Sequence, residues 1–385
     1  MKEKIAIIGA NSFQNRLILK AKELGYETHV FAWKSGDVGE RTADHFYPIS
    51  ITEKEKILEE CRKIQPVAVC SIASDLAVLT VNYVARALGL PANSEHSDQI
   101  STNKYEMRKA LRQVGIPTPL FRKITSADDL ELAKTDGFSF PIIVKPTDRS
   151  GSRAITKLDS EEGLTEAIAS AVEQSFEKAA IVEEYLRGKE YSCECISFHG
   201  EHHMLAITEK FTTGAPHFIE TGHIEPAPLS EEIKNRVRET VFAALDALEI
   251  RDSASHAEFK LDENAKVSII EIGARMGGDC IGSDLVYLST GNDYVKMVID
   301  VACGKEPEIR DVQTGKNAAI RFLMTEKDME LLERAKRELH VVDISEIDQD
   351  RSHSVVDSSS RYGYFIVADK DDMKIRKQLF DKDGE

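Results

Sequence analysis

The first hundred residues alternate short apolar runs with segments of helical periodicity. The apolar runs predict strands at Ile5–Ile8, Thr28–Phe31 and Val67–Ile72. The segments Arg16–Leu24 and Leu76–Leu88 have apolar residues spaced as on one face of a helix. Strands that alternate with helices are typical of a parallel sheet covered by helices. We therefore predict an α/β unit in this part of the chain.

Beyond residue 100 the pattern changes to a mixture of strands and helices. Asn103 is placed to cap a helix that ends before Gly115, and Glu231–Leu248 predicts a long amphipathic helix. The other predicted elements are, in chain order, Phe140–Lys145, Ile181–Leu186, Ala318–Met324, Lys327–Leu339 and Tyr362–Val367. This mixture predicts α+β structure, and we expect the highly charged tail, residues 370–385, to fray.

The turn after the first predicted strand, Gly9-Ala10-Asn11-Ser12, is where a parallel sheet binds its ligands. Dinucleotide-binding proteins carry three spaced glycines at this turn, and this sequence lacks them. A dehydrogenase is therefore disfavoured, and a test of NAD binding would separate that alternative.

Two segments of alternating polarity, the first ending at Asp262 and the second beginning at Val267, predict a hairpin. If those two residues face each other, Glu258 lies opposite Glu271 on one face. Opposed like charges destabilise a sheet. A divalent cation would compensate, because two carboxylates with phosphate and water oxygens are a usual Mg²⁺ site. The alternatives are an exposed outer face, or a register slip that separates the pair.

A glycine-rich stretch, residues 273–279, follows Glu271 directly. Glu271 itself lies in an apolar run, where a carboxylate without a partner is costly. Arg275 has a guanidinium group suited to fork onto phosphate or carboxylate oxygens, and glycines let the backbone approach a ligand. A cation and a guanidinium group in one place favour a polyphosphate site.

The sequence has no phosphate-binding loop of the GxxxxGK[ST] type, so other residues would have to contact phosphates. Lys145 ends an apolar run, and the loop Thr147–Arg153 offers hydroxyls, backbone N–H groups and two guanidinium groups for a flap over phosphates. Lys104 shares a helix face with Arg108 and Arg112. The alternatives are a strand-end lysine that extends to solvent, an exposed loop and a solvated helix face.

Composition restricts the partners. The 385 residues include 50 Lys and Arg against 66 Asp and Glu, a formal charge of −16, and the basic residues are scattered. Such a chain repels phosphate backbones and anionic lipid, so neither nucleic acid nor a membrane is an expected partner. We find no apolar run near the roughly 18 residues of a spanning helix and no signal peptide, so the expected location is cytoplasmic. The six cysteines are expected to be reduced packing residues.

Together these motifs resemble those of the ATP-grasp enzymes, in order and spacing, over nearly the whole chain. The residues that carry the resemblance are Asn103-Lys104, Ile143-Val144-Lys145-Pro146, Ser150-Gly151-Ser152, Glu183-Glu184-Tyr185-Leu186 with Gly188 and Glu190, Glu258, and Glu271 with Arg275. The resemblance implies an ATP-grasp architecture in four parts. These are a Rossmann-like pre-ATP-grasp domain at 1–100, ATP-grasp subdomains at 101–187 and 188–310, and a C-terminal α+β segment at 311–385.

The resemblance also implies ATP and Mg²⁺ as ligands, with one or two ions and Mn²⁺ as an alternative. The implied ATP contacts are Lys104, Lys145, Ser150, Gly151 and Ser152 at the phosphates, Glu183, Glu184, Tyr185 and Leu186 at the adenine, and Glu190 at the ribose. Glu258 and Glu271 would ligate the metal, and Lys145 and Arg275 would be catalytic by neutralising developing charge. Many members have Asn two residues after the second carboxylate, whereas this chain has Gly273 at that position. The coordination of a second metal ion would therefore differ from that in those members.

The segment 212–223 is similar to that of the ATP-grasp L-amino-acid ligases, which join amino acids into dipeptides. Glu220 and His223 match a Glu-x-x-His pair at the substrate site of those enzymes, and Arg275, Gly278 and Asp279 complete the expected site. A loop ion pair is the structural alternative for the first two.

This resemblance implies a ligase that forms an acylphosphate from a carboxylate and joins it to an amine, with release of ADP and phosphate. Its partners would be small molecules, with a homodimer left open. The alternatives are a biotin-carboxylase-like or purine-pathway ATP-grasp enzyme, and a nucleotide-binding protein that no longer catalyses.

Overall fold

The N-terminal part of the computed structural model is a parallel sheet with helices on both faces. The structure describes residues 2–125, 137–151, 153–215, 218–310 and 314–380. Ile5 and Ile7 pack into one core cluster and Ala6 and Ile8 into another, so both faces of the first strand are buried. The strands are β1 Lys4–Ile8, β2 Glu27–Phe31, β3 His45–Tyr47 and β4 Ala68–Cys70, paired in the order β3-β2-β1-β4. The helices are α1 Ser12–Glu23, α2 Val38–Thr42, α3 Lys54–Ile64 and α4 Asp75–Leu88.

The turn between β1 and α1 is filled by the protein itself. The Asn11 side chain accepts the N–H groups of Phe13 and Gln14, which caps the helix. The Gln14 amide in turn donates to the Ile72 carbonyl at 2.9 Å and lies against Gly9. The Gln14 side chain thus covers the glycine backbone that a dinucleotide would have to approach. This packing agrees with the prediction that disfavours a dehydrogenase.

A second, antiparallel sheet follows two short helices, α5 Glu95–Thr102 and α6 Lys104–Gln113. Asn103 caps α6 as predicted, by accepting from the N–H groups of Tyr105 and Glu106. The strands are β5 Phe121–Ile124, β6 Ile142–Pro146, β7 Thr156–Leu158 and β8 Ala180–Glu184, in the order β5-β8-β6-β7, with helix α7 Leu164–Gln174 packed on them.

The third sheet is antiparallel and is the largest. Its eight strands pair in the order β13-β12-β9-β10-β11-β14-β16-β15: β9 Lys189–Phe198, β10 Glu201–Thr212, β11 Glu220–Glu225, β12 Ser253–Leu261, β13 Val267–Gly273, β14 Asn317–Leu323, β15 Val341–Ile344 and β16 Gly363–Asp369. The helices are α8 Glu231–Ala247, a π-helical turn Ile281–Leu285, α9 Val286–Thr290, α10 Tyr294–Ala302, α11 Glu326–Glu338, a 3₁₀ turn Ser358–Ser360 and α12 Asp372–Leu379. The strands after residue 310 thus continue the same sheet.

The expectation that the tail frays is wrong for its first half. Residues Asp372–Leu379 form α12, and Ile375 and Leu379 are buried in a core cluster. Phe380 stacks on Phe211 with ring centroids 4.0 Å apart. Ile375 and Leu379 lie on one face of the helix, and together with Phe380 they anchor this highly charged segment in the core. Residues 381–385 lie outside the described part of the chain.

The parallel N-terminal sheet followed by antiparallel sheets confirms the predicted combination of α/β and α+β structure. Among the described residues, the helices are too short or too polar to cross a bilayer.

Candidate active site

Glu258 and Glu271 face each other on neighbouring strands, as predicted, but through a different register. At the hairpin tip Leu261, not Asp262, pairs with Val267. That one-residue shift alone would have placed Glu258 opposite Ile270. A bulge at Ile270 shifts the register back and restores the pairing of Glu258 with Glu271. The bulge therefore sets the position of the two carboxylates.

These carboxylates line a cavity between the second and third sheets. Lys104 Nζ donates to Glu271 Oε1 at 2.7 Å and to the Arg149 carbonyl at 2.6 Å. Lys210 and His256 both contact the Glu258 carboxylate. Burial alone would raise the pKa of Glu258, but Lys210 and His256 outweigh it and hold the pKa far below its ordinary value. Glu258 is thus ionised at neutral pH, the state that binds a cation.

Lys210 on β10 stands among three acidic residues. Besides Glu258, its ammonium group lies 3.6 Å from Glu190 and 3.8 Å from Glu220. Burial lowers the pKa of Lys210, but these carboxylates outweigh that effect and raise it above its ordinary value. Burial raises the pKa of Glu190. Lys210 was not predicted from the sequence, because nothing near it in sequence distinguishes it from other strand lysines.

Lys145 is held by Glu183, a carboxylate that the resemblance predicts at the adenine pocket. Glu183 accepts from Arg108 Nε with one oxygen and contacts Lys145 Nζ with the other, both at 2.7 Å. Burial raises the pKa of Glu183, but Arg108 and Lys145 outweigh it and lower the pKa. Burial also lowers the pKa of Lys145. Glu183 therefore orients a buried lysine at the cavity wall.

The segment after β8 continues the cavity wall. The N–H groups of Glu184 and Tyr185 donate to the carbonyls of Leu120 and Pro141, which fixes the segment against the second sheet. The Tyr185 ring lies 5.0 Å from the ammonium groups of both Lys157 and Lys260.

The loop Thr147–Arg153, predicted to cover phosphates, contributes residues to the lining of the same cavity. Asp148 accepts the N–H groups of Phe176 and Glu177 at 3.0 and 2.8 Å, and the Arg149 guanidinium lies over the Phe176 ring. Gly151 has a φ of +75°, which favours glycine there. Ser152 lies outside the described residues.

Arg275 is bound by an acidic residue of the N-terminal unit. Its Nε and Nη2 reach the two carboxylate oxygens of Asp75 at 2.8 and 2.9 Å. Arg275 thus makes the expected two-point contact with carboxylate oxygens, but the carboxylate belongs to the protein itself. A Cβ atom at Gly273 would lie 2.6 Å from Asp75 Oδ1, so this ion pair requires a glycine there. Two hundred residues separate Asp75 from Arg275, and nothing local in the sequence links them.

A second ionic cluster involves the predicted substrate residues. Arg361 donates to Glu220 Oε2 and Asp279 Oδ2, each at 2.9 Å, and its guanidinium lies 3.7 Å from the centre of the Phe322 ring. His223 is 1% exposed and its Nε2 lies 3.6 Å from Asp279. Burial raises the pKa of Asp279, but Arg361 and His223 outweigh it and lower the pKa.

The structure brings most of the predicted site residues to one cavity. Those that line it are Lys104, Lys145, Ser150, Gly151, Glu183, Glu184, Tyr185, Leu186, Glu190, Glu220, Glu258, Glu271 and Arg275. His223 and Asp279 lie behind Glu220 and connect to it through Arg361. Gly278 lies outside the cavity lining and packs near Ala73.

Comparison with known proteins agrees with this arrangement. Residues 138–284 match a protein family described as ATP-grasp domain. This match confirms, over residues 138–284, the ATP-grasp resemblance seen in the sequence.

Relatives of known name include amino-acid ligases. The chain is 27% identical over 314 residues to alanine–anticapsin ligase of Bacillus subtilis (strain 168), covering 72% of this chain and 65% of that protein. It is 28% identical over 276 residues to D-alanine–D-alanine ligase of Flavobacterium johnsoniae, covering 68% of this chain and 82% of that protein. The chain therefore spans about two thirds of the length of the alanine–anticapsin ligase.

Solved structures share the fold. L-amino acid ligase from Bacillus licheniformis matches with a TM-score of 0.83 at 22% identity, covering 98% of this chain and 95% of that one. N5-carboxyaminoimidazole synthetase from Staphylococcus aureus, complexed with ADP, matches with a TM-score of 0.79 at 17% identity over 100% of this chain and 98% of that one. At these identities the likeness shows the fold alone.

Proposed function

We propose that this protein is an ATP-dependent carboxylate–amine ligase that joins amino acids or closely similar molecules. The observation that carries the proposal is the facing pair Glu258 and Glu271 in a cavity that also holds Lys104 and Lys145. Two carboxylates beside two buried lysines suit a metal-bound polyphosphate better than any other ligand class.

The donor groups fit magnesium. Both carboxylates are partly exposed to the cavity, and the electrostatics keep Glu258 ionised. Glu258 and Glu271 would hold Mg²⁺, which supplies neutralisation of the nucleotide's phosphate charge. Lys104 and Lys210 neutralise the charges of Glu271 and Glu258. The site therefore offers negative groups that bind a cation and positive groups that bind phosphates.

Lys145 and the segment after β8 suit the nucleotide. Lys145 is the next-to-last residue of β6 and lies at the cavity wall, where its contact with Glu183 fixes the position of its ammonium group. Glu184, Tyr185 and Leu186 would hold the adenine, and Glu190 the ribose hydroxyls. Ser150 and Gly151 would cover the phosphates and exclude water.

The amino-acid site would lie at the end of the cavity marked by Glu220. Glu220 and Asp279 share the cation Arg361, and Glu220 also lies 3.8 Å from Lys210, which it shares with Glu190 and Glu258. Burial lowers the pKa of His223, which favours the neutral imidazole. A carboxylate such as Glu220 at the cavity wall suits a substrate ammonium group, and the names of the relatives, which are amino-acid ligases, support this assignment.

The proposed reaction has two steps. A carboxylate oxygen of the first substrate attacks the γ-phosphorus of ATP, the bond to the β-phosphate oxygen breaks, and ADP leaves. The ammonium group of the second substrate then loses a proton to solvent, and its amine nitrogen attacks the carbonyl carbon of the acylphosphate. The bond from that carbon to the phosphate oxygen breaks, and phosphate leaves with the second proton of the nitrogen. Arg275, held by Asp75, would stabilise the negative charge on the carbonyl oxygen during the second step.

Phosphate release from ATP and Mg²⁺, screened over all pairs of proteinogenic amino acids, tests the proposal. We expect release with particular pairs, together with a product whose mass equals the sum of the pair minus water. Release driven by bicarbonate and not by amino acids would favour a carboxylase-like enzyme. ATP binding without release under any condition would favour a non-catalytic nucleotide-binding protein.

A further inference from the structure

A second group of ligating side chains lies at the edge of the first sheet. Glu27 and His29 are two residues apart in β2 and share a face, and His45 pairs with His29 on the edge strand β3. Glu27 Oε1 is 3.0 Å from His29 Nε2 and 3.4 Å from His45 Nε2. One ligand atom from each of these residues lies within 4.8 Å of the other two. None of the three lines the cavity described above.

The surrounding groups orient this cluster. The Tyr47 hydroxyl lies 3.0 Å from His29 Nδ1, which leaves Nε2 directed toward Glu27. A hydrogen bond on the far ring nitrogen is the usual support of a metal-ligating histidine. The His29 side chain is 6% exposed and is held by Tyr47 and Glu27, whereas the His45 side chain is 52% exposed and its ring stacks on that of His29 with centroids 4.6 Å apart.

The spacing matches a small transition-metal ion. Ligand atoms about 2.0–2.2 Å from a tetrahedral zinc ion lie about 3.3–3.6 Å from each other. The distances from Glu27 Oε1 to the two imidazole nitrogens, 3.0 and 3.4 Å, are close to this range. A hydrogen bond between Glu27 and His29 would not need the His45 imidazole at the same Glu27 oxygen, so the presence of both rings there favours a metal site.

We propose that Glu27, His29 and His45 form a site for a divalent transition-metal ion such as Zn²⁺, with the fourth position open to water. Two imidazoles and one carboxylate favour zinc and its neighbours in the first transition row over Mg²⁺ or Ca²⁺, which prefer oxygen ligands. The site is therefore chemically distinct from the proposed magnesium site, and its test does not depend on the proposed function.

The test is calorimetric titration of the full-length chain, without a histidine tag, with ZnCl₂ in excess Mg²⁺. We expect the wild type to bind one Zn²⁺ per chain. His45→Ala and Glu27→Gln should each weaken that binding by at least about 10-fold, because even losing a supporting group costs about 10–100-fold. His96→Ala is the matched control, since His96 is also exposed and contacts a carboxylate, Glu249, at 3.0 Å outside the cluster.

The absorption spectrum of the Co²⁺-loaded protein provides a second readout, because tetrahedral coordination gives intense visible bands that His45→Ala should abolish and His96→Ala should retain. Circular dichroism and thermal unfolding confirm that each variant is folded. Absence of stoichiometric Zn²⁺ binding by the wild type, or unchanged binding by folded His45→Ala, would overturn the proposal.

Discussion

Asp75 and Arg275 form a two-point ion pair between the N-terminal unit and the wall of the candidate active site. The pairs Nε–Oδ1 and Nη2–Oδ2 measure 2.8 and 2.9 Å. Burial raises the pKa of Asp75, but Arg275 outweighs it and lowers the pKa, so the carboxylate stays ionised. A planar guanidinium group that is held at two points has a single orientation, and Asp75 sets that orientation for Arg275.

Asp75→Asn should lower turnover more than nucleotide binding. Asparagine keeps the shape but loses the charge, so Arg275 is no longer fixed, and a misplaced catalytic group costs up to about 100-fold. We expect kcat to fall by about 10–100-fold while ATP affinity changes by less than about threefold. Asp343→Asn, which removes an ion pair with Arg16 outside the cavity, is the control. Equal losses in kcat and ATP affinity would argue against a positioning role.

Gly273 provides a double-mutant cycle for the same relationship. In Gly273→Ala the new methyl group meets Asp75 Oδ1 at 2.6 Å, so the ion pair must break or shift. The loss of turnover should be large in the wild-type background and small in Asp75→Ala, because the clash and the pair are then already gone. Additive effects of the two substitutions would show that Gly273 acts independently of Asp75.

Arg361→Ala should weaken amino-acid binding and leave ATP binding unchanged. Without Arg361, Glu220 and Asp279 lose the cation that fixes their positions, so we expect the amino-acid KM to rise by at least about 10-fold. Arg361→Lys keeps the charge but not both contacts, and should give an intermediate KM. Arg351→Ala, which removes a contact with Glu326, is the control. A rise in the ATP KM alone would contradict this assignment.

Glu271→Gln should abolish phosphate release, since the amide has lost the charge that would hold magnesium. We expect a decrease of at least about 100-fold, measured at saturating amino acids over a range of Mg²⁺ concentrations. Glu263→Gln removes an exposed carboxylate from the loop of the same hairpin and should have wild-type activity. Full activity of Glu271→Gln would exclude it as a metal ligand.

Glu225, a buried residue outside the candidate active site, makes the stability of the folded protein depend on pH. Burial raises the pKa of Glu225 from 4.5 to about 7, although Ser289 and Thr208 donate to its oxygens. Between pH 4.5 and 7 the unfolded chain releases this proton before the folded chain does, so this group reduces stability as pH rises. Below pH 4.5 it contributes no penalty, and above pH 7 the penalty is complete.

Glu225→Gln should therefore stabilise the protein by about 1–3 kcal/mol more at pH 8.5 than at pH 4.5. Urea unfolding of both proteins at the two pH values measures this difference. The exposed Glu239→Gln is the control. An equal effect of Glu225→Gln at both pH values would show that ionisation is not the cause.

The sequence predicted the elements whose pattern is local. The parallel sheet, the cap at Asn103 and the facing of Glu258 and Glu271 follow from residue alternation and spacing. The bulge at Ile270 did not, because it cancels a shift at the hairpin tip that no residue type marks. Residues contributed by distant elements, such as Asp75 and Lys210, also escaped prediction. Their partners are fixed by tertiary packing, and a strand lysine or a helix-end aspartate alone carries no signal for it.

Transfer of oxygen from substrate to phosphate tests the central claim most directly. Once the screen has identified an amino-acid pair, each amino acid in turn is supplied with ¹⁸O in its carboxylate, and the released phosphate is analysed by mass spectrometry. The account predicts that one of the two transfers a single ¹⁸O atom to each phosphate, because its carboxylate oxygen becomes part of the acylphosphate. Phosphate without ¹⁸O from either amino acid would contradict the proposed ligase.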